Sequence, residues 1–396
     1  MNLNRREFLA AASAGAVAGI VAKQANTQEP KKYKAVIIGD WDHGGYGHSM
    51  HLAFALRDDV QVVGLADPLD KAREKFGAEA KAERLYADWR EMLAQEKPDL
   101  AVIGPRWTTN HKDYLLGCAE AGCHGFMEKP LATDLAEADV MLEAVKAKNL
   151  KWAIAYNMRV QPQIAFLKAR LDEGIIGSVL EMRGRGKEDQ RAGGEDLVVL
   201  GTHVYDLMRY LMGANPEWCS SDITHNGKPA TPADVREATE PLGPIVGNRI
   251  HAMYGFPKGT AGHFSSMIQK DGAGGRWGLD IFGSRGMITI RMAEVPSVWW
   301  MDLPSWAPAG SDKEWQRLPG VPEFAITNEA TERHKPIVDD LIAAIEEDRQ
   351  PVASLDDGRW AQEMIQAVWE AHVQGCRVKL PLEQRDHPLN RWRQQN

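Results

Sequence analysis

Cysteine is scarce in this sequence, which has 4 cysteines among 396 residues. Cys118 and Cys123 share a predicted helix, where they lie too far around and along it for a comfortable disulfide bond. They also lack the spacing with histidine that zinc sites use. We therefore expect buried thiols, no disulfide framework and no metal site.

The sequence also lacks an excess of positive charge and long apolar runs. The formal net charge is −8, which argues against nucleic acid or an anionic membrane as a partner. The weakly apolar run 9–22 is too short for an ordinary transmembrane helix. With 44% hydrophobic and 26% charged residues, the composition is that of an ordinary globular protein with room for two domains.

The N-terminus carries the pattern of an export signal. Arg5 and Arg6 are followed by Glu7-Phe8-Leu9 and by an alanine- and glycine-rich run. This pattern predicts a twin-arginine signal over 1–22 and a periplasmic location. Residues 23–33 are polar and are expected to form a linker. Twin-arginine export carries folded proteins, so it suits an enzyme that loads a cofactor before it crosses.

The rest of the chain falls into two regions. Over 34–155, strand-like and helix-like segments alternate, which predicts a parallel sheet with crossover helices. Residues 48–56 are expected to form its first helix and 131–145 a later one. Over 156–396, longer strands with Gly/Pro turns predict a second α/β domain with a mainly antiparallel sheet and closing helices.

A glycine-rich loop follows the first predicted strand. Gly39, Gly44, Gly45 and Gly47 would let the backbone approach a pyrophosphate at a helix N-terminus, although their spacing is not G-x-G-x-x-G. Asp67 ends the second strand, where a carboxylate binds the ribose hydroxyls and favours NAD over NADP. The alternative is that Asp67 caps the helix that follows.

Lys129, in Glu128-Lys129-Pro130, is the predicted proton-transfer residue. Oxidation of an alcohol removes a hydroxyl proton together with a hydride, and a cationic nicotinamide nearby lowers the pKa of a lysine. We assign Glu128, Lys129 and Asn110, from the loop 105–111 at the same sheet edge, to the cofactor site. Alternatively, Lys129 is a surface lysine paired with Glu128, and Asn110 caps the next helix.

His203 is the second candidate for proton transfer. Asp206 lies three residues further along the same predicted helix, where we expect it to meet the imidazole and fix its tautomer. We therefore assign both residues to catalysis. The alternative is a buried histidine that caps this helix.

Substrate contacts are predicted at the ends of two strands. Tyr156, Asn157 and Arg159 follow the last parallel strand and are expected to face the cleft of Lys129. Glu188 lies in the polar stretch 187–191, which either binds substrate hydroxyls or forms a solvated loop.

These motifs together resemble the Gfo/Idh/MocA family of glucose–fructose oxidoreductases, inositol dehydrogenases and rhizopine-catabolism proteins. The resemblance covers essentially the whole chain after the linker. Besides the glycine loop, Asp67 and the lysine motif, it is carried by Gly174-Ile175-Ile176-Gly177, Gly201-Thr202-His203 with Asp206, Phe282-Gly283-Ser284-Arg285-Gly286 and Val378-Lys379-Leu380-Pro381-Leu382.

The resemblance implies a doubly wound Rossmann domain and a C-terminal α+β domain whose open sheet often forms homo-oligomer contacts. It also implies NAD(P) as the cofactor, Lys129 and His203 as catalytic residues, and sugars, polyols or their derivatives as substrates. Dehydrogenases of the family commonly carry an aspartate four residues before the motif histidine, where this sequence has Val199. The candidate replacements are Glu188, Asp189, Glu195 and Asp196.

Three functions remain open at this point. The leading hypothesis is an NAD(P)-dependent oxidoreductase acting on a sugar or polyol. The first alternative is an exported glycoside hydrolase that uses NAD without net consumption, by oxidation, elimination, addition of water and reduction. The second is a sugar- or dinucleotide-binding protein without catalysis.

Overall fold

The computed structural model describes residues 33–268, 275–308 and 310–395. The predicted signal, 1–22, and the linker, 23–33, lie outside the described residues except for Tyr33, which begins the first strand. The export signal therefore stays a prediction. Within the described part of the chain, none of the helices combines the length and apolarity needed to cross a membrane.

The N-terminal sheet is parallel throughout. Its strands are β1 (Tyr33–Ile38), β2 (Val60–Ala66), β3 (Arg84–Tyr86), β4 (Leu100–Ile103), β5 (His124–Met127) and β6 (Trp152–Ile154). They lie in the order β3-β2-β1-β4-β5-β6, and every neighbouring pair is parallel. The order reverses between β1 and β4, which is where doubly wound sheets bind ligands.

Four α-helices connect these strands. They are α1 (Asp70–Ala80), α2 (Trp89–Glu96), α3 (His111–Glu120) and α4 (Leu135–Ala147). The helix predicted over 48–56 was wrong: the structure has a single 3₁₀ turn, Met50–Leu52, preceded by Ser49 at φ 64°. The helix predicted from residue 131 begins only at Leu135, because the Asp134 side chain caps it by accepting from the Glu137 N–H.

The C-terminal sheet is mixed and mainly antiparallel. Its strands are β7 (Val179–Arg185), β8 (Trp218–His225), β9 (Lys228–Pro229), β12 (Arg249–Gly255), β13 (Ala261–Met267), β14 (Gly278–Gly283), β15 (Met287–Arg291), β16 (Ser297–Met301), β17 (Gln316–Arg317) and β18 (Val378–Lys379), while β10 (Arg236–Glu237) and β11 (Pro244–Ile245) pair separately. Its order is β17-β16-β15-β14-β7-β13-β12-β8-β18, with β9 beside β8. Within it, β7 and β13 run parallel. The predicted fold class is confirmed.

Seven α-helices belong to this part of the described chain. They are α5 (Pro162–Asp172), α6 (Gly194–Val199), α7 (Gly201–Met212), α8 (Glu329–Glu332), α9 (Lys335–Glu346), α10 (Leu355–Gln374) and α11 (Pro388–Arg393). Leu355 at the start of α10 packs in the core around the first sheet, and Trp369 near its end packs in the core around the second. One helix of 20 residues thus contributes to both cores.

Candidate active site

A cavity of about 380 Å³ lies where the carboxyl ends of β4 and β5 face the start of α7. Lys129 and His203, which are far apart in the sequence, both line it. Its volume lies within the range of small-molecule sites. We call it the lysine cavity.

Lys129 is buried, with 4% of its surface exposed, so the alternative of a surface lysine is wrong. Its Nζ donates to the main-chain oxygen of Val199 at 3.3 Å, at the C-terminal end of α6. Burial lowers the pKa of Lys129, helped by Arg106 and Arg191 and opposed by Glu128 and Glu240. A lysine whose neutral form is favoured in this way suits proton transfer.

Glu128 is a fixed anion behind the lysine. Its carboxylate accepts from the main-chain N–H of Lys129 at 2.9 Å and pairs with His48 Nδ1 at 2.8 Å. Burial alone would raise the pKa of Glu128, but His48 and Lys129 hold it well below its usual range. The absent side chain of Gly47 makes room for this group, because a Cβ there would lie 2.5 Å from Glu128 Oε1.

His203 forms another wall of the lysine cavity. Its ring stands edge-on to those of Tyr156 and Trp277, with centroids 5.8 and 6.0 Å away. Burial and the charge of Lys129 lower the pKa of His203 well below its usual value. The imidazole is therefore neutral near pH 7 and is able both to donate and to accept a hydrogen bond.

The predicted contact between His203 and Asp206 was wrong. The carboxylate of Asp206 accepts from Arg159 Nε at 2.9 Å, and Arg159 also reaches Asp357 of α10 at 2.9 Å. Residues three apart on a helix point about 60° away from each other, so the imidazole faces the cavity while the carboxylate faces α10. Burial raises the pKa of Asp206 to about 6, although Arg159 opposes this.

Only Asn157 among the predicted substrate contacts lines the lysine cavity. Tyr156 is buried with its hydroxyl 2.6 Å from Thr202 Oγ1, and Arg159 belongs to the ion pair with Asp206. Glu188 is also buried and pairs with Arg185 and Arg276, each at 2.9 Å. For these three the geometry offers no support as substrate contacts.

The candidate replacements for the missing aspartate point away from the cavity too. Asp189 pairs with Arg191 at 2.7 Å, Glu195 accepts from the Thr239 N–H at 3.1 Å, and Asp196 accepts from Ser266 Oγ at 2.5 Å. None of them, nor Glu188, is among the residues that line the described cavity, whereas Glu240 is. Glu240 lies in a loop between two very short strands, where no periodic pattern marks it.

The glycine loop runs beside β4 and borders a second cavity of about 370 Å³. Gly44 has φ +97°, and a Cβ there would lie within 2.8 Å of the backbone nitrogens of Arg106 and Trp107. Gly39 and Asn110 line this second cavity. Asn110 makes no side-chain cap on α3, so that alternative was wrong. Close backbone approach and a ligand-sized space at the switch point fit a dinucleotide.

Asp67 does not face the second cavity, contrary to its predicted ribose contact. It is fully buried, and its carboxylate accepts from the Trp41 N–H at 3.1 Å, Tyr46 Oη at 2.9 Å and the Leu69 N–H at 2.9 Å. Because the loop is longer than G-x-G-x-x-G, its residues fold back over the carboxylate. The acidic side chains that do line this cavity are Asp40, Asp88 and Asp113. The N-cap of α1 is Leu69, so Asp67 is not the predicted cap either.

Sequence reasoning missed several polar and aromatic residues of the lysine cavity. These are His48, Glu240, Trp277, Glu294, Arg333 and His334. Most lie in loops or at helix starts from distant parts of the chain, so no local motif marks them. Of these residues, His48 alone had a sequence signal, since it follows the glycine loop. The cavity also contains Arg106 from the predicted loop 105–111, and Lys187 and Arg191 from the predicted polar stretch 187–191.

Two family models match the chain. One, described as an oxidoreductase family with an NAD-binding Rossmann fold, covers residues 33–156. The other, described as the C-terminal alpha/beta domain of an oxidoreductase family, covers residues 168–380. The matched ranges contain Lys129 and His203 respectively.

Curated relatives include the levoglucosan dehydrogenase of Pseudarthrobacter phenanthrenivorans, 29% identical over 256 residues, with 58% of this chain and 64% of the relative covered. The scyllo-inositol 2-dehydrogenase (NAD(+)) of Bacillus subtilis is 32% identical over 178 residues, with 43% and 51% covered. The chain thus spans between half and two thirds of the length of these two relatives.

Solved structures share the fold. A levoglucosan dehydrogenase in complex with NADH and levoglucosan superposes with a TM-score of 0.72 at 22% identity, covering 89% of this chain and 100% of that one. The aldose-aldose oxidoreductase from Caulobacter crescentus complexed with glycerol gives 0.68 at 19% identity, covering 88% and 100%. At these identities the likeness establishes the architecture.

Proposed function

Because the chain belongs to the Gfo/Idh/MocA oxidoreductase family, we propose that it is an NAD-dependent oxidoreductase acting on a sugar, polyol or derivative. The observation that carries the proposal is the lysine cavity. It brings together a buried lysine with a lowered pKa and a neutral histidine, next to the switch point of a parallel sheet.

Lys129 in its neutral form takes the proton of a substrate hydroxyl. NAD, when bound, supplies the hydride acceptor. The Val199 carbonyl holds Nζ at 3.3 Å, so the amine is oriented before a substrate enters. Since an amide carbonyl cannot take a proton, this contact positions Lys129 without relaying its charge.

His203 orients the same hydroxyl. Its neutral ring accepts or donates one hydrogen bond, and the Tyr156 and Trp277 rings packed against it fix its plane. Trp277 also lines the cavity, where an aromatic face suits the apolar side of a sugar ring. Two relatives named as dehydrogenases of levoglucosan and scyllo-inositol support a hydroxyl-rich ring as the substrate.

The N-terminal sequence supports export by the twin-arginine pathway to the periplasm. In a compartment without a dissolved cofactor pool, the dinucleotide would have to stay with the protein. We therefore expect a tightly held cofactor in protein purified from an exporting host.

Mass spectrometry of the freshly purified, denatured protein tests the cofactor, and NADH fluorescence tests binding after its removal. We expect NAD(H) in the first experiment and saturable binding in the second. The absence of both would end the proposal. Release of aglycone from nitrophenyl glycosides without NADH accumulation would indicate the redox-neutral glycosidase instead. Binding of ligand without turnover of any substrate would indicate the sensing protein.

A further inference from the structure

Arg106 is the one arginine of the lysine cavity without a partner among the described residues. Arg191 pairs with Asp189 at 2.7 Å and with Glu240 at 3.4 Å, and Arg333 pairs with Glu294 at 2.8 Å. Arg106 makes no ion pair or hydrogen bond with any described residue, and its Nε is buried and unsatisfied. Buried polar groups are nearly always hydrogen-bonded, so an orphaned guanidinium nitrogen in a cavity needs an explanation.

The balance of charges that line the cavity also indicates that Arg106 lacks an anionic partner. Besides Arg106, its lining has cations at Lys187, Arg191 and Arg333, but carboxylates only at Glu240 and Glu294 among the described residues. Both carboxylates are already paired with arginines. The fork of a guanidinium matches the two oxygens of a carboxylate or phosphate, and such charge-assisted bonds are the strong ones.

The position of Arg106 favours an anion of the substrate over the pyrophosphate of the cofactor. Arg106 lines the cavity of Lys129 and His203 and is not part of the second cavity, which Gly39 and Asn110 line. The second cavity is lined by three carboxylates, Asp40, Asp88 and Asp113, and by one cation, Arg90. Unpaired positive charge is therefore placed at the reacting end of the site.

We propose that Arg106 binds a carboxylate or phosphate carried by the sugar or polyol, so that the substrate of this protein is an anionic sugar. The inference rests on the proposed function, because it concerns the substrate of the same cavity. A neutral sugar of the same shape leaves Arg106 unpaired and binds more weakly.

Matched pairs of probes test this on the NADH-loaded protein by isothermal titration calorimetry. The pairs are D-glucuronate with D-glucose, D-gluconate with D-sorbitol, and D-glucose 6-phosphate with D-glucose. We expect at least one anionic member to bind about tenfold or more tightly than its neutral partner. Whether the acids or the phosphate show the preference distinguishes the two sources of negative charge.

Variants then assign the preference to Arg106. Arg106→Gln should abolish it, Arg106→Lys should keep part of it, and Arg170→Gln, on the outer surface of α5 and paired with Glu173, should keep all of it. Equal affinities within every pair, or no binding of any anionic probe, would overturn the inference while leaving the proposed function standing. So would an Arg106→Gln variant that loses NADH affinity and keeps the preference. Failure of the wild-type protein to bind NADH would instead remove the proposed function, and this inference with it.

Discussion

The charge of Lys129 is set by four neighbours together with its burial. Glu128 and Glu240 favour the ammonium form, whereas Arg106 and Arg191 favour the neutral amine. Burial tips the balance toward the amine, so the pKa of Lys129 lies below its ordinary value. The reactive form is the amine, which is why activity in alcohol oxidation should rise as the pH passes this pKa.

Removing a negative neighbour of Lys129 and removing a positive one should shift the pH dependence of activity in opposite directions. Glu240→Gln removes a charge that raises the pKa of Lys129, so the ascending limb of kcat/KM moves to lower pH. Arg106→Gln removes a charge that lowers it, so the limb moves to higher pH. Initial rates of NADH formation with a neutral polyol across a pH series measure both, and Arg170→Gln is the control. Shifts in the same direction would show that Lys129 is not the titrating group.

At the scale of elements, the cavity depends on how α7 is held. The buried pair of Arg159 and Asp206 joins the turn Asn157–Val160 to α7, and Asp357 links both to α10 through Arg159 and Arg209. His203 lies on the same helix as Asp206, one turn closer to the cavity. The network explains why a carboxylate three residues from the histidine serves the packing of the helix instead of the imidazole.

Removal of Asp206 should cost stability. Asp206→Ala leaves Arg159 buried with Asp357 and the Val352 carbonyl as its remaining partners, and breaking a buried pair typically costs about 3 kcal/mol or more. We expect a loss of about 3 kcal/mol in the free energy of unfolding, measured by urea denaturation. Asp172→Ala, which removes an exposed pair with Lys168, should change it by less than about 1 kcal/mol. Equal effects of the two substitutions would mean that the buried network does not hold α7.

At the scale of the whole molecule, the two sheets were predictable because their patterns are local. Alternation of buried strands such as Leu100–Ile103 with amphipathic helices predicts a parallel sheet from sequence alone. The residues that complete the site were not predictable, since Glu240, Trp277 and Arg333 reach the cavity of Lys129 only when distant parts of the chain fold together.

Two motif-based predictions failed for related reasons. Asp67 has the expected position after β2, but a longer glycine loop folds over it and supplies its hydrogen bonds. Asp206 has the expected spacing from His203, but an arginine from another element competes for it. In both cases the spacing in sequence was right, and tertiary contacts determined the partner.

Lys129 is enclosed by both regions of the fold, because it follows β5 and its Nζ donates to Val199 at the end of α6. Lys129→Met should keep the side-chain volume and the fold while removing the proton acceptor. The matched control is Lys71→Met, at an exposed position of α1.

The most direct measurement is the rate of NADH formation by these two variants and the wild-type protein, with NAD and a panel of neutral and anionic sugars. NADH affinity is measured in parallel by fluorescence. If Lys129 is the proton acceptor, Lys129→Met loses about 10²- to 10⁴-fold in kcat and keeps its affinity for NADH, while Lys71→Met matches the wild type. Turnover by Lys129→Met at the wild-type rate would contradict this role.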